Sequence, residues 1–93
     1  MKLAEIVTGP LASIVDVRTG LEFEQDHLPH AINIPLDEVA TRVDEFKNMS
    51  KPIIIYCRSG NRSEMAKNIL QLNGINDVIN GGSIYDLKKS LRA

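Results

Sequence analysis

The sequence lacks tryptophan and contains a single cysteine, and aromatic residues make up only 4% of its 93 residues. One cysteine excludes an intramolecular disulfide, and free thiols are most common in reducing compartments, so we expect a cytoplasmic protein. Its stability must then come from a hydrophobic core. Hydrophobic residues make up 43% of the sequence, which suits one compact domain over residues 1–93, because two domains would each have too small a core.

The sequence also has no excess of one sign of charge, since it contains 11 basic and 12 acidic residues and its net charge is −1. No global electrostatic field therefore favours nucleic acid or an anionic membrane as a partner. Long apolar runs are absent as well, because no stretch approaches ~18 consecutive apolar residues. The apolar N-terminal segment is interrupted at Glu5, Gly9 and Pro10, so we expect a soluble, unprocessed chain with no membrane partner.

The hydrophobic pattern predicts strands that alternate with helices. Short apolar or β-branched runs predict strands at residues 13–17, 31–34, 52–56 and 77–79. Helices are expected at residues 21–25, 36–46, 65–72 and 83–91, and the second and third show apolar spacings of three and four. The third should end near Gly74, Gly81-Gly82 indicates a loop, and residues 2–7 fit either a strand or a helix.

This alternation of elements is typical of an α/β fold with a mainly parallel sheet. The run at residues 52–56 shows no polar alternation, which is typical of a central parallel strand covered on both faces. In such sheets, ligands bind at the carboxyl ends of the strands. Cys57 follows this strand directly, so the pattern places it where a site is expected.

Residues 57–63 carry the most specific chemical pattern of the sequence. A tight turn, allowed by Gly60, would direct backbone N–H groups inward at a helix N-terminus and make an anion-binding nest. Arg58 and Arg62 add two guanidinium groups that can bind an oxyanion. Because N–H groups and positive charge both favour the thiolate, we expect the pKa of Cys57 to lie below the ~8.5 of a free thiol. The loop therefore predicts a nucleophile beside a docking site for an anionic substrate.

Other interpretations of this loop remain open. Cys57 could be an inert buried thiol, which is a common state of free cysteine. Arg58 and Arg62 could be surface charges at the start of a helix, although positive charge is unfavourable there and two arginines favour an anion nearby. Ser63 fits a helix N-cap as well as a substrate contact.

The loop and several other segments resemble the rhodanese family, the thiosulfate sulfurtransferases. The segments that carry the resemblance are Asp16-Val17-Arg18, Glu22-Phe23-Glu24, residues 31–35, residues 53–63 and Gly81-Gly82. Together they extend from about Ile14 to Leu87. The sequence departs from the family at Asp26 and His30, where glycine is frequent, and Tyr85 is the nearest match to the aromatic residue, usually tryptophan, that commonly follows the double glycine.

The resemblance implies a rhodanese-like α/β fold with a five-stranded, mostly parallel sheet flanked by helices. It also implies a sulfurtransferase in which Cys57 takes sulfane sulfur from a small anionic donor such as thiosulfate, forms a persulfide and passes the sulfur to cyanide, a thiol or a partner protein. No metal or organic cofactor is implied. The residues expected to bind the persulfide and the anion are Arg58, Ser59, Gly60, Asn61, Arg62 and Ser63.

Outside the loop, we expect mainly structural roles. Asp16 and Arg18 are expected to hold strand to loop, with Arg18 paired to Glu22 or Glu24. His27 and His30 are too isolated to form a metal site, and His27 is expected to hydrogen-bond within the fold. Two further groups are assigned by pattern: Met65, Ile69 and Leu70 to the core, and Lys88, Lys89 and Arg92 to a solvated basic end.

Three other functions compete with sulfur transfer by an enzyme. A cysteine phosphatase or arsenate reductase also uses a Cys…Arg anion loop, but Cys57 and Arg62 have four residues between them rather than five, and no leaving-group acid is evident. A regulatory binding module would not need Cys57. A sulfur-relay protein that serves one partner would keep the cysteine yet show little general activity.

Overall fold

The computed structural model describes residues 12–92, which form four strands and five helices. The strands are β1 (Ser13–Asp16), β2 (Ile32–Asn33), β3 (Ile53–Cys57) and β4 (Val78–Ser83). The helices are α1 (Gly20–Gln25), α2 (Leu36–Val39), α3 (Val43–Lys47), α4 (Asn61–Leu72) and α5 (Ile84–Arg92). Strands and helices alternate as the sequence predicts. Within residues 12–92, no helix is long and apolar enough to cross a membrane.

The sheet has the strand order β2-β1-β3-β4, and all three pairings are parallel. The described residues therefore provide four strands rather than the expected five. The segment at residues 2–7, which fits a strand or a helix by sequence, lies outside them. Because every pairing is parallel, the carboxyl ends of all four strands lie at the same edge of the sheet.

β3 is buried along its whole length, which confirms the prediction of a central strand covered on both faces. Successive side chains of a strand point to opposite faces. Ile53, Ile55 and Cys57 accordingly pack in one core cluster, which includes Phe46 of α3. Ile54 and Tyr56 belong to the cluster on the other face. Cys57 thus ends a rigid strand, and its side chain points into packed protein.

The predicted helix at residues 36–46 is wrong as a single element, because it is divided into α2 and α3. The hydroxyl of Thr41 donates to the carbonyl of Glu38, and the N–H of Arg42 donates to the carbonyl of Val39. The turn between the helices lets both Val39 and Phe46 reach the core, where neither is exposed. Seven-residue spacing is compatible with one helix, so the break depends on local hydrogen bonds that periodicity does not detect.

Of two further predictions about glycines, one is confirmed and one is wrong. α4 ends as expected, since Gly74 has a φ of 84° and the N–H of Ile75 donates to the carbonyl of Leu70. The expected loop at Gly81-Gly82 is wrong, because both glycines lie within β4. They pair beside an irregularity in the register, where Ile55 is opposite Asn80 and the next residue of β3 is opposite Gly82. The extra residue indicates a bulge, which glycine accommodates inside a strand.

The core assignment on α4 is correct in part. Leu70 is fully buried and Ile69 packs against the core, but the side chain of Met65 is 56% exposed. The buried stripe of the helix instead runs through Ser63, Ala66 and Leu70. The hydrophobic pattern does not count Ser63 as a core residue, so it misplaced the buried face of α4 by part of a turn.

Candidate active site

Cys57 is the last residue of β3 and has no exposed surface. The chain then turns through three residues into α4, and Gly60 is the N-cap of that helix with a left-handed backbone, φ 95°. A side chain would be strained in this conformation. A Cβ atom at Gly60 would meet only ordinary van der Waals contact, 3.5 Å from the Cα atom of Gly82, so the backbone conformation and not the available space requires glycine. Gly60 therefore allows the turn that folds the helix N-terminus over the cysteine.

The sulfur of Cys57 lies within a set of hydrogen-bond donors. The N–H of Gly60 donates to Sγ at 2.9 Å and the N–H of Ser63 at 3.4 Å, and the hydroxyl oxygen of Ser63 is 3.5 Å from Sγ. Burial alone would raise the pKa of the thiol, but the hydroxyl and N–H of Ser63 and the backbone of Ser59 and Gly60 outweigh it and lower the pKa. Two backbone N–H groups of the loop thus face the sulfur, as the sequence predicts, and they favour its charged form.

The two arginines of the loop have different surroundings. The guanidinium of Arg62 donates to both carboxylate oxygens of Glu22 on α1, at 2.8 and 3.1 Å. Its pKa is raised, first by that hydrogen bond and further by the charges of Glu22 and Cys57. Arg58 is exposed and makes no hydrogen bond or ion pair with residues 12–92. Arg58 is therefore the guanidinium that is available to an incoming anion.

The remaining residues of the predicted loop divide into exposed and buried positions. Ser59 and Asn61 are exposed, and their side chains make no hydrogen bond with the rest of the described chain. Ser63 is fully buried in the first turn of α4, so the N-cap interpretation is wrong. Its hydroxyl oxygen lies 3.0 Å from the carbonyl oxygen of Gly60 and 2.6 Å from Oδ1 of Asn80.

Asn80 belongs to the site and was missed by the sequence analysis. Its Nδ2 donates to the carbonyl of Gly60 at 3.2 Å and to Glu64 at 3.0 Å, and its Oδ1 accepts from the N–H of Gly82 at 2.9 Å. Asn80 thus ties β4 to the start of α4. The available signal was its position one residue before the double glycine, on a strand whose carboxyl end lies beside that of β3.

A buried ion pair on β1 and the residues that follow it lies next to the site. Asp16 and Arg18 are 0% and 6% exposed, and their side chains are joined by hydrogen bonds, the shortest of 2.7 Å. Arg18 also donates to the carbonyl of Asp26 at 2.6 Å. The structural role predicted for this pair is confirmed, but the predicted partner of Arg18 is wrong. Glu22 pairs instead with Arg62, because α1 directs it towards α4.

Tyr56 of β3 also hydrogen-bonds to the loop that follows α1. The hydroxyl of Tyr56 accepts a hydrogen bond of 3.0 Å from the N–H of Leu28, and the guanidinium carbon of Arg18 lies 5.8 Å from the centre of the tyrosine ring. Burial raises the pKa of Tyr56 well above its ordinary value. The tyrosine therefore stays neutral and holds the loop through its hydrogen bond with Leu28.

A cavity of about 320 Å³ opens beside the cysteine loop. It is lined by Arg18, Glu22, Gln25, Asp26, Arg58, Ile84, Tyr85 and Lys88. Lys88 forms an ion pair with Asp26, so the expectation that it is merely solvated is wrong. Tyr85, the nearest match to the family's aromatic residue, is 67% exposed at this cavity.

The two histidines do not contribute to this site. Nδ1–H of His27 donates to the carbonyl of Phe23 at 2.7 Å, and the two rings stack with their centres 3.8 Å apart, which confirms the predicted hydrogen-bonding role. His30 lies in the adjacent turn with a φ of 66°. Across residues 12–92, no group of three or more His, Cys, Asp or Glu side chains is arranged to hold a metal ion.

Known proteins are similar to this chain in both sequence and fold. The thiosulfate sulfurtransferase PspE of Escherichia coli is 36% identical over 74 residues, which are 78% of this chain and 71% of that protein. YrkF of Bacillus subtilis, a protein named as a sulfur carrier, is 44% identical over 68 residues, which are 73% of this chain but only 36% of that protein. A solved structure of a rhodanese with anions from E. coli matches with a TM-score of 0.72 at 37% identity, covering 81% of this chain and 89% of that one.

The match extends over almost the whole sequence. A family model described as a rhodanese-like domain matches residues 2–90. This range contains the sheet, the turn after β3 and the hydrogen-bond donors around the buried sulfur. On the similarity of sequence and fold together, this chain belongs to the rhodanese-like domain family.

Proposed function

We propose that this chain is a sulfurtransferase that carries sulfane sulfur as a persulfide on Cys57. The observation that carries the proposal is the ring of donors around Sγ, with the N–H of Gly60 at 2.9 Å and that of Ser63 at 3.4 Å. These donors favour the thiolate, which is the nucleophilic form of cysteine. Sulfurtransferases and a named sulfur carrier among the relatives support the same chemistry.

In the first half-reaction, the Cys57 thiolate attacks the outer sulfur of thiosulfate. An S–S bond to Cys57 forms as the bond between the outer sulfur and the sulfonate breaks, and the electron pair of the broken bond leaves with sulfite. Arg58 docks the sulfonate, because it is exposed beside the cysteine and makes no ion pair with residues 12–92. Arg62 adds positive charge near the sulfur, but Glu22 partly compensates that charge.

In the second half-reaction, an acceptor thiolate or cyanide attacks the outer sulfur of the persulfide. Cys57 leaves as a thiolate, and the backbone N–H groups of residues 58–63 stabilise the charge that returns to it. Atoms and electrons balance without any further reactant. The cavity of about 320 Å³ is much larger than thiosulfate, so it has room for an organic thiol acceptor.

Access to the sulfur requires a small movement of the loop. Cys57 has no exposed surface, whereas Arg58 and Ser59, which follow it directly, are exposed. The donor therefore reaches Sγ when these residues shift away from the sulfur. Short exposed loops open at low energetic cost compared with the buried strands that support them.

A sulfur relay is the second candidate, and the similarity to the named sulfur carrier favours it. A relay would form the persulfide readily but pass sulfur slowly to cyanide, because its acceptor is a dedicated partner protein. The phosphatase interpretation has less support, since the family to which the chain belongs includes sulfurtransferases. A cytoplasmic location and a single domain over residues 1–93 stay predictions from composition.

Intact mass spectrometry tests the proposal directly. Reduced protein is incubated with thiosulfate, and we expect a gain of one sulfur, ~32 Da, located on Cys57 and removed by cyanide with release of thiocyanate. Protein alkylated with iodoacetamide beforehand is the control and should gain nothing. PspE, treated in parallel, verifies the assay, and absence of the added mass from this chain alone would contradict the proposal.

A further inference from the structure

The hydroxyl of Ser63 has one proton and three acceptors within reach. Its oxygen lies 2.6 Å from Oδ1 of Asn80, 3.0 Å from the carbonyl oxygen of Gly60 and 3.5 Å from Sγ of Cys57. A serine hydroxyl can donate to only one acceptor at a time. The bond to Asn80 is the shortest, so Asn80 takes the largest share of this proton and the sulfur, at 3.5 Å, receives only a weak hydrogen bond from the hydroxyl.

The side-chain amide of Asn80 is held in one orientation. Its oxygen faces the N–H of Gly82, which can only donate, and its nitrogen faces the carbonyl of Gly60 and the carboxylate of Glu64, which can only accept. A flipped amide would place donor against donor and acceptor against acceptor. The oxygen of Asn80 is therefore directed at Ser63 by three contacts that do not involve the cysteine.

This orientation affects the nucleophile. The sulfur already receives hydrogen bonds from two backbone N–H groups, of Gly60 and Ser63. A full hydrogen bond from the Ser63 hydroxyl would stabilise the thiolate further, but a more stabilised thiolate is a weaker nucleophile. We propose that Asn80 is a positioning residue for Cys57, which competes with the sulfur for the Ser63 proton and thereby keeps the thiolate reactive.

The benefit of a reactive thiolate rests on the proposed sulfur transfer. The competition for the Ser63 proton does not, because it takes place in the protein without any substrate. The charged groups around the cluster stay in place in the variants below. They are Glu64, which accepts from Asn80; Arg62, whose charge acts on Cys57 and is paired with Glu22; exposed Arg58; and the buried pair of Asp16 and Arg18 on and beside β1.

The test is the pH dependence of Cys57 alkylation by iodoacetamide in wild type, Asn80→Ala, Ser63→Ala and the double variant. Removing Asn80 leaves the Gly60 carbonyl and the thiolate as acceptors, and the charged sulfur attracts the freed proton more strongly than the neutral carbonyl. We therefore expect the thiol pKa to fall by about half a unit, the size expected for one strengthened hydrogen bond. The plateau rate at high pH should fall about 1.5- to 2-fold, because nucleophilicity decreases with pKa. In the Ser63→Ala background, removing Asn80 should leave the pKa unchanged.

Other outcomes overturn the proposal. If Asn80 only orders the loop, its removal weakens the amide hydrogen bonds and the thiol pKa rises or stays constant. An equal fall with and without Ser63 would show that Asn80 does not act through the hydroxyl. Asn73→Ala, which removes an amide that donates to Ile69 at the other end of α4, is the matched control and should leave the pKa unchanged.

A second variant covers the case in which Asn80→Ala does not fold. Asn80→Asp keeps the size and provides a stronger acceptor, and its added negative charge raises the thiol pKa in either background. The competition predicts a smaller rise in the Ser63→Ala background, and an equal rise in both backgrounds would refute it. An unchanged or lowered pKa in Asn80→Asp would refute the competition. Alkylation needs no sulfur donor, so failure of persulfide formation and failure of this inference are separate results.

Discussion

The floor and the rim of the site are built in different ways. The floor, which we define as Cys57, Gly60, Ser63 and Asn80, is joined by hydrogen bonds of 2.6 to 3.4 Å around a sulfur with no exposed surface. The rim, which we define as Arg58, Tyr85 and Lys88, lines an open cavity. Of these three residues only Lys88 has an ion-pair partner within residues 12–92.

This difference assigns separate tasks to the two regions. Hydrogen bonds in a buried site are strong and lose most when one partner is removed, so the floor sets the state of the sulfur. The rim side chains line the cavity beside the cysteine loop, so we expect the rim to select which substrates approach the sulfur. Changes in the floor should affect every substrate, whereas changes in the rim should affect some substrates only.

The largest effect is expected from the nucleophile in the floor. Cys57→Ser keeps nearly the same volume but cannot form a thiolate or a persulfide, so sulfur transfer should fall by more than about 10³-fold with every donor. Steady-state rates with thiosulfate and with an uncharged persulfide donor measure the loss. Unchanged circular dichroism would show that the fold is intact, and substantial residual activity would refute the role of Cys57.

The next largest effect is expected from the rim, and it should be selective. Arg58→Ala removes the exposed guanidinium at the cavity, so kcat/KM for thiosulfate should fall about 10- to 100-fold, the size of a lost charge-assisted hydrogen bond. An uncharged persulfide donor should be used almost as well as before. Lys89→Ala, which removes an exposed positive charge elsewhere on α5, is the control, and equal losses with both donors would show that Arg58 does not dock the anion.

A smaller effect that applies to all substrates is expected from Ser63 in the floor. Its hydroxyl contributes a weak hydrogen bond that lowers the pKa of Cys57, so Ser63→Ala should raise that pKa by no more than about half a unit. The thiolate fraction then decreases below the new pKa and is unchanged well above it. The pH profile of iodoacetamide alkylation measures the shift, and Ser59→Ala, which changes an exposed serine in the same loop, should leave it unaltered.

The smallest effect is expected from the ion pair between Glu22 on α1 and Arg62 on α4, which belongs to neither the floor nor the rim. The hydrogen bond from Arg62 lowers the pKa of Glu22 to about 2, so the pair stabilises the fold above pH 4.5 and loses this contribution as the pH falls towards 2. The carboxylate is partly exposed, so Glu22→Gln should reduce the free energy of unfolding by no more than about 1 kcal/mol at neutral pH. Urea denaturation should show this difference decreasing at low pH, and a constant difference would contradict the assignment.

Much of the framework could be predicted from local sequence. Five consecutive apolar residues before Cys57 predict a buried central strand, and Gly74 predicts the end of α4, because strand burial and left-handed helix ends depend on residues that are adjacent in the chain. The resemblance carried by residues 53–63 likewise identified the family. The roles of Arg58 to Ser63 in binding substrate stay predictions.

Contacts between distant elements could not be predicted in this way. Arg62 pairs with Glu22 across 40 positions, and Asn80 reaches Ser63 across 17. The sequence offers each of these side chains several partners of similar chemistry, as the wrong pairing expected for Arg18 illustrates. The exposure of Met65 was missed for a related reason, since the buried face of α4 follows Ser63, which is satisfied by partners on other segments.

The sequence by itself therefore determined the alternation of strands and helices, the buried strand and the thiol with its glycine-containing loop, because these depend on neighbouring residues. The tertiary structure decided which arginine makes no ion pair within the described residues, which carboxylate pairs with Arg62 and which acceptors surround the hydroxyl of Ser63. These features depend on distances between separate elements, and the parallel sheet sets those distances by bringing the ends of β1, β3 and β4 to one edge.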